Sequence, residues 1–189
     1  MPKNYYVEDL KPGMLLLSEP YLEDASFRRS VILLCEHSNS HSFGIIINQE
    51  QDNVFETVMD EKVFENIPLY AGGPVDTSIL QFLHRRPDLI PGGLEIAPNI
   101  FWSGDFEKAI ESVVNEAITF SDIKFFIGYS GWGAGQLERE IKSNAWYLEP
   151  AKSNYVFDEP SDQLWRKILM DKGGNYRVLA TYPEDPNLN

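Results

Sequence analysis

Residues Gly128-Tyr129-Ser130-Gly131-Trp132-Gly133-Ala134-Gly135-Gln136-Leu137-Glu138 carry the densest set of chemistry-bearing signals in the chain. The run follows the β-branched and aromatic stretch Ile123 to Ile127 and precedes Gln136 to Lys142, whose composition forms helix, so it joins a strand end to a helix start. Gly131, Gly133 and Gly135 give the backbone access to positive φ, and the first amides of a helix lack intrahelical partners, so such a junction can hold an anion. The plainer reading is a tight connection with Trp132 folded over the core. Ser130 invites comparison with the nucleophile elbow G-x-S-x-G, but Trp132 stands where the second glycine belongs, and only His37, His41 and His84 are available as a base. Glycine spacing is also wrong for a dinucleotide fingerprint, and Glu138 and Glu140 at the helix start oppose a bound phosphate.

Cys35 and His37 lie two apart on an expected strand and so share one face, with Glu36 on the other. A histidine beside a thiol can lower its pKa and make it reactive. Against this stands the ordinary habit of a free cysteine as a small buried apolar residue, with His37 closing the strand through a hydrogen bond. Glu36, His37, Asn48 and His84 would form a polar or metal-binding pocket only if the fold brings them together. Trp102, Trp132, Trp146 and Trp165 are expected in the core unless left exposed as a partner surface, and Trp132 is the one to watch because its glycine neighbours have no side chains to cover it.

Positioning these residues requires a set of elements that the hydrophobic pattern marks out. Met14 to Leu17, Val31 to Cys35 and Phe43 to Ile47 read as strands, the last two paired antiparallel across the polar linker Ser38 to Ser42. Their near-continuous apolar character implies cover on both faces, hence a mixed α/β or α+β domain. Val54, Val58, Phe64 and Ile67 are spaced for a helix and a connector. Gly72-Gly73-Pro74-Val75 must break regular pairing, and strands follow at Ile79 to His84 and Leu94 to Ala97. Asp105 caps a helix whose apolar face is Phe106, Ile110, Val113, Val114 and Ala117. A last helix starts near Ser161, buries Leu164, Trp165, Ile168 and Leu169, and stops at Gly173-Gly174 with a left-handed glycine cap.

Composition excludes several classes. With 189 residues, 43% hydrophobic and 13% aromatic, the chain is long enough for one well-packed domain. Its net charge of −13, from 29 acidic and 16 basic residues, repels a phosphate backbone and argues against direct nucleic-acid binding. The single Cys35 forms no internal disulfide, no Cys/His set has zinc spacing, and neither a signal-peptide pattern nor an apolar run of about 18 residues is present. The expectation is a soluble cytoplasmic protein, with residues 1–181 as the domain and 182–189 as an extended tail.

Several runs occur together and in order: Phe27-Arg28-Arg29-Ser30-Val31-Ile32-Leu33-Leu34-Cys35-Glu36-His37, Phe43-Gly44-Ile45-Ile46-Ile47-Asn48, Gly72-Gly73-Pro74-Val75, Leu83-His84, and Gly128 to Glu138. In these the chain resembles the YqgE/AlgH family. The resemblance implies a single α/β domain whose forked sheet curls into a pseudo-barrel with helices outside, in a bacterial cytoplasmic protein. Members of that family carry the label of transcriptional regulator without a helix-turn-helix or an agreed activity, so any effect on transcription is expected to be indirect.

The reading that follows is a non-catalytic regulatory or interaction domain. Its expected ligand or partner surface comprises Glu36, His37, Asn48, Gly72, Gly73, Pro74, His84, Ser130, Gly131, Trp132, Gly133, Gly135 and Gln136. No catalytic residue, cofactor or metal is assigned. The partner is a protein or a small molecule, with no direct nucleic acid and no membrane. The alternative is an enzyme or binding protein for a small anionic ligand at the Gly128 to Glu138 turn.

Overall fold

A computed structural model describes residues 4–51 and 67–183. β1 (Met14–Ser18) is buried throughout, and β2 (Val31–His37) over its first five residues. β1 and β2 pair antiparallel, Leu16 opposite Ile32, and β2 pairs antiparallel with β3 (His41–Ile46). That hairpin is tighter than the polar linker implied: Ser38 N–H donates to the His41 carbonyl at 2.9 Å, so β3 begins at His41 rather than Phe43.

The later strands are β4 (Glu50–Gln51), β5 (Leu69–Ala71), β6 (Val75–His84), β7 (Leu94–Ala97), β8 (Ile100–Trp102), β9 (Ile123–Gly133) and β10 (Trp146–Pro150). They join in the order β10-β1-β2-β3-β9-β6-β8-β7, with β5 on β9 and β4 on β5. Among the described residues, β5 on β9 is the one parallel pairing and the others are antiparallel. β9 was expected to end at Ile127 but runs through the glycine motif to Gly133, leaving Ala134 and Gly135 as the turn.

The helices are α1 (Phe106–Val114), α2 (Gln136–Lys142), α3 (Ser153–Phe157), α4 (Ser161–Lys172) and α5 (Asn175–Leu179). Asp105 caps α1 as expected, accepting from Lys108 N–H at 3.0 Å. Its face is shifted, with Ala109 buried and Val114 exposed. At 100° per residue Val114 sits about 80° round from Phe106, at the margin of the stripe. α4 buries the four predicted residues, and Gly173 ends it with the expected positive φ of 79°, though its ψ of −167° lies outside the left-handed helical region. β8, β10, α3 and α5 were not anticipated. The helix expected around Val54 to Phe64 lies outside the described residues, as does the tail beyond residue 183.

Both faces of β1 and β2 are covered, as their composition required. Leu15, Leu17, Leu33 and Cys35 pack with α3 and α4 through Val156, Trp165 and Leu169. Leu16, Ile32 and Leu34 pack on the opposite face with Trp132, Leu137 and Trp146. A third core under α1 joins Phe82, Ile90, Ala109 and Phe125. The sheet curls until the segment entering β1 meets β7: a Cβ on Gly13 would lie 2.2 Å from the Ile96 carbonyl oxygen. The molecule is one mixed α/β domain, a curled half-barrel flanked by helices.

Candidate functional site: the groove at the sheet fork

β9 is the strand at which the sheet divides. Phe125, Phe126 and Ile127 pair with β5 and with β6, which therefore lie on opposite edges. Gly72 to Pro74 carry the chain between those edges. A Cβ on Gly72 would fall 2.4 Å from the Gly128 oxygen, and one on Gly73 2.2 Å from the Tyr129 carbonyl. Gly128 has φ 71° and Gly73 φ 151°. The glycines thus answer to backbone crossing backbone, which no side chain tolerates. Beyond the crossing, residues 130–133 of β9 pair with β3, while Ile46 N–H donates to the Gly72 carbonyl at 2.8 Å and fixes the fork.

Trp132 is 5% exposed and packs over the core with Leu137 and Trp146, as the plainer reading of the turn had it. Its indole N–H donates to Glu140 Oε2 at 2.8 Å, and the Trp146 indole N–H reaches the same oxygen at 2.8 Å. Gln136 gives its side-chain N–H to Glu140 Oε1 at 2.9 Å and accepts from Gly133 N–H at 3.1 Å. Glu140, absent from the sequence-based set, is therefore the residue that ties α2 to the sheet. Its signal was the spacing of Gln136 and Glu140, four apart and so on one helix face.

On the outer face of the fork lies an open groove of about 610 Å³ between β2, β3, β6 and β9. Phe43 packs on Tyr129 with ring centroids 4.9 Å apart and on Trp102 at 5.2 Å, and Trp102 donates its indole N–H to Gln81 Oε1 at 3.0 Å. Val75 and Ile79 remain 38% exposed at its rim. Glu36 and His41 mark one end, with Oε2 and Nε2 3.3 Å apart. Among the described residues, no lysine or arginine lines it.

Of the predicted surface residues, Glu36, Gly131 and Trp132 line this groove. His37 stands beside it, its Nδ1 2.8 Å from the hydroxyl of the lining Ser42. Pro74 is exposed next to Val75, whereas Gly72 and Gly73 are buried in the crossing. Gly133, Gly135 and Gln136 belong to the turn into α2. Asn48 is a brace elsewhere, accepting from Val31 N–H at 2.7 Å and donating to the Arg29 carbonyl at 3.0 Å. Ser130 is fully buried with its hydroxyl 3.5 Å from the Gly72 carbonyl, and all three histidines are engaged elsewhere.

His84 is buried away from the groove, stacked on Phe101 at 5.5 Å. Its Nε2 lies 3.1 Å from the Ser103 carbonyl and its Nδ1 accepts from Arg86 N–H at 3.2 Å, so the neutral ring fits and burial lowers its pKa from 6.5. The suggested convergence of Glu36, His37, Asn48 and His84 does not occur, and no cluster of His, Cys, Asp or Glu suited to a metal exists among the described residues. Cys35 is the extra residue where the pairing of β2 with β3 shifts register. Burial pushes its thiol well above the usual range, with Glu36 adding to the shift, which opposes a reactive thiolate.

The described residues contain no helix long and apolar enough to cross a membrane. Residues 15–177 match the family described as AlgH-like. A UPF0301 protein of Chlorobium limicola is 40% identical over 96% of this chain and 97% of its own length, and one of Cytophaga hutchinsonii is 37% identical over 95% and 100%. A crystal structure of a Corynebacterium diphtheriae protein superposes with TM-score 0.74 at 25% identity, covering 92% of this chain and 93% of that one. The solution structure of the AlgH protein from Pseudomonas aeruginosa gives 0.72 at 24% identity, covering 96% and 98%, a likeness of fold. Sequence, relatives and architecture agree: the chain belongs to the AlgH-like, or UPF0301, family.

Proposed function

We propose that this protein is a bacterial cytoplasmic interaction domain that acts without catalysis, and that its partner surface is the groove at the sheet fork. The observation that carries this reading is the groove itself: an open, aromatic-floored recess bordered by half-exposed Val75 and Ile79 on a rigid sheet. Aromatic anchors on rigid elements are what protein interfaces concentrate their energy in. Its openness suits a macromolecular partner better than a small substrate, which is normally enclosed on most sides. Any influence on transcription then runs through the bound protein, since the net charge of −13 disfavours direct DNA contact.

The alternative, a small anion at the turn before α2, finds less support. Gly133 N–H is already taken by Gln136, and Glu138 occupies the first turn of a seven-residue helix. The test is affinity capture from lysate with wild type and Tyr129→Ala, each first shown to melt at the same temperature. Loss of an aromatic anchor lowers retention of a genuine partner about tenfold or more; partners retained equally by both remove the groove from consideration.

A further inference from the structure

We infer that the groove takes an extended peptide segment, hydrogen-bonded through its backbone to the free side of β9 at Gly131 and carrying a lysine or arginine beside Glu36. This rests on the reading of the groove as the partner surface and specifies what fills it. The first support is the sheet edge. β6 pairs with β9 only as far as Tyr129, opposite Val75, so among the described residues nothing pairs with that edge over residues 131–133. Gly133 N–H donates to the Gln136 side chain and is not spent on β3. Peptide groups two residues apart in a strand point the same way, so Gly131 N–H and C=O face that open side too. Gly131 is exposed and has no side chain to keep an incoming backbone away.

Space is the second support. Four residues, Asp76 to Ile79, bulge opposite the single residue Gly128, so β6 bows away where it would otherwise have continued the ladder. The cleft left between bow and edge is the groove, and its aromatic floor of Phe43 and Tyr129 can receive alternate side chains of an added strand.

Charge is the third. Glu36 is exposed, and only its Oε2 has a partner among the described residues, His41. Asp76 is exposed on the bowed segment, and no lysine or arginine among the described residues lines the recess. A second copy of this chain would bring another −13 to the same surface, whereas a basic segment is attracted to it.

The experiment follows backbone amides of the ¹⁵N-labelled full chain by NMR during titration with a capped heptapeptide alternating valine with threonine and lysine. Two controls are the same peptide N-methylated at alternate residues, which keeps the charge but cannot pair, and its serine-for-lysine analogue. The inference expects the Gly131 amide to shift on binding, the N-methylated peptide to bind at least tenfold more weakly, and Glu36→Gln to weaken only the lysine peptide. Equal binding of the N-methylated peptide overturns it, because attraction to an acidic surface would then explain the effect. Shifts at the Phe43 and Tyr129 amides without one at Gly131 overturn the strand pairing but leave the groove as a partner surface. No shift at either overturns the inference; whether the groove reading survives is then decided separately by the Tyr129→Ala capture.

Discussion

Glu140 gathers two indole N–H groups and one side-chain amide on a single carboxylate, and those indoles belong to β9 and β10. Hydrogen bonds to a charged acceptor are worth more than neutral ones, and removing the acceptor strands two donors in a largely apolar setting. Glu140→Ala should therefore lower the unfolding free energy by about 3 kcal/mol, seen as a lower urea midpoint with altered tryptophan emission. Glu140→Gln should lose less, since one oxygen remains to accept. His84 makes a second residue-scale prediction. Its neutral ring is held by Ser103 and Arg86, and its native pKa lies below 6.5. Between those two values the unfolded chain binds a proton that the native protein refuses, so the contribution is complete above about pH 6.5 and is lost as pH falls through the native value. Urea midpoints at pH 7.5 and pH 5.0 should fall further apart in wild type than in His84→Gln.

At the level of elements, the crossing at Gly72 and Gly73 is the least forgiving place in the fold. A methyl group at Gly72 would meet the Gly128 oxygen at 2.4 Å, and the obstacle is backbone that cannot swing aside. Gly72→Ala should cost about 3 kcal/mol or more, measurable by denaturant titration, whereas alanine at Gly92, whose nearest neighbour atom would be 4.0 Å away, is limited to the strain of its positive φ. The same crossing explains which parts of the fold could be read from the sequence. β1, β2 and β3 announce themselves through the apolar runs Met14 to Leu17, Val31 to Cys35 and Ile45 to Ile47, which are buried on both faces. The α1 cap at Asp105 and the buried face of α4 follow from local spacing. Of β9 only the first half was legible, because the glycines of its second half mimic a loop when taken alone and become strand only by pairing with β3. That Trp132 folds over the core was legible, but what covers it was not: its cover comes from α2 and Trp146, and the glycines beside it say nothing about partners arriving from elsewhere. Glu36 and Gly131 were legible as groove residues, but Phe43, Ile79 and Gln81 were not, since only the fork brings β3 and β6 to the same face.

For the whole molecule, an excess of thirteen negative charges works against compactness and sets a salt dependence. The screening length falls to about 8 Å at physiological ionic strength, so repulsion across the surface is damped as salt is added. The melting temperature should rise between 20 and 300 mM sodium chloride, with most of the gain at the low end; a fall would mean that ion pairs such as Arg85 with Asp122 and Asp158 outweigh the general repulsion. One last consequence belongs to β9 and its place in the order of synthesis. β5 and β6 straddle a strand that is translated some forty residues after them, and neither has its central neighbour until that strand arrives. A growing chain on the ribosome therefore carries an unfilled slot through the time it takes to make α1. The slot closes only once Tyr129 has emerged, which makes the joining of β5 to β6 through β9 a late and non-local event, and the interval before it a period in which a chaperone has much to shield.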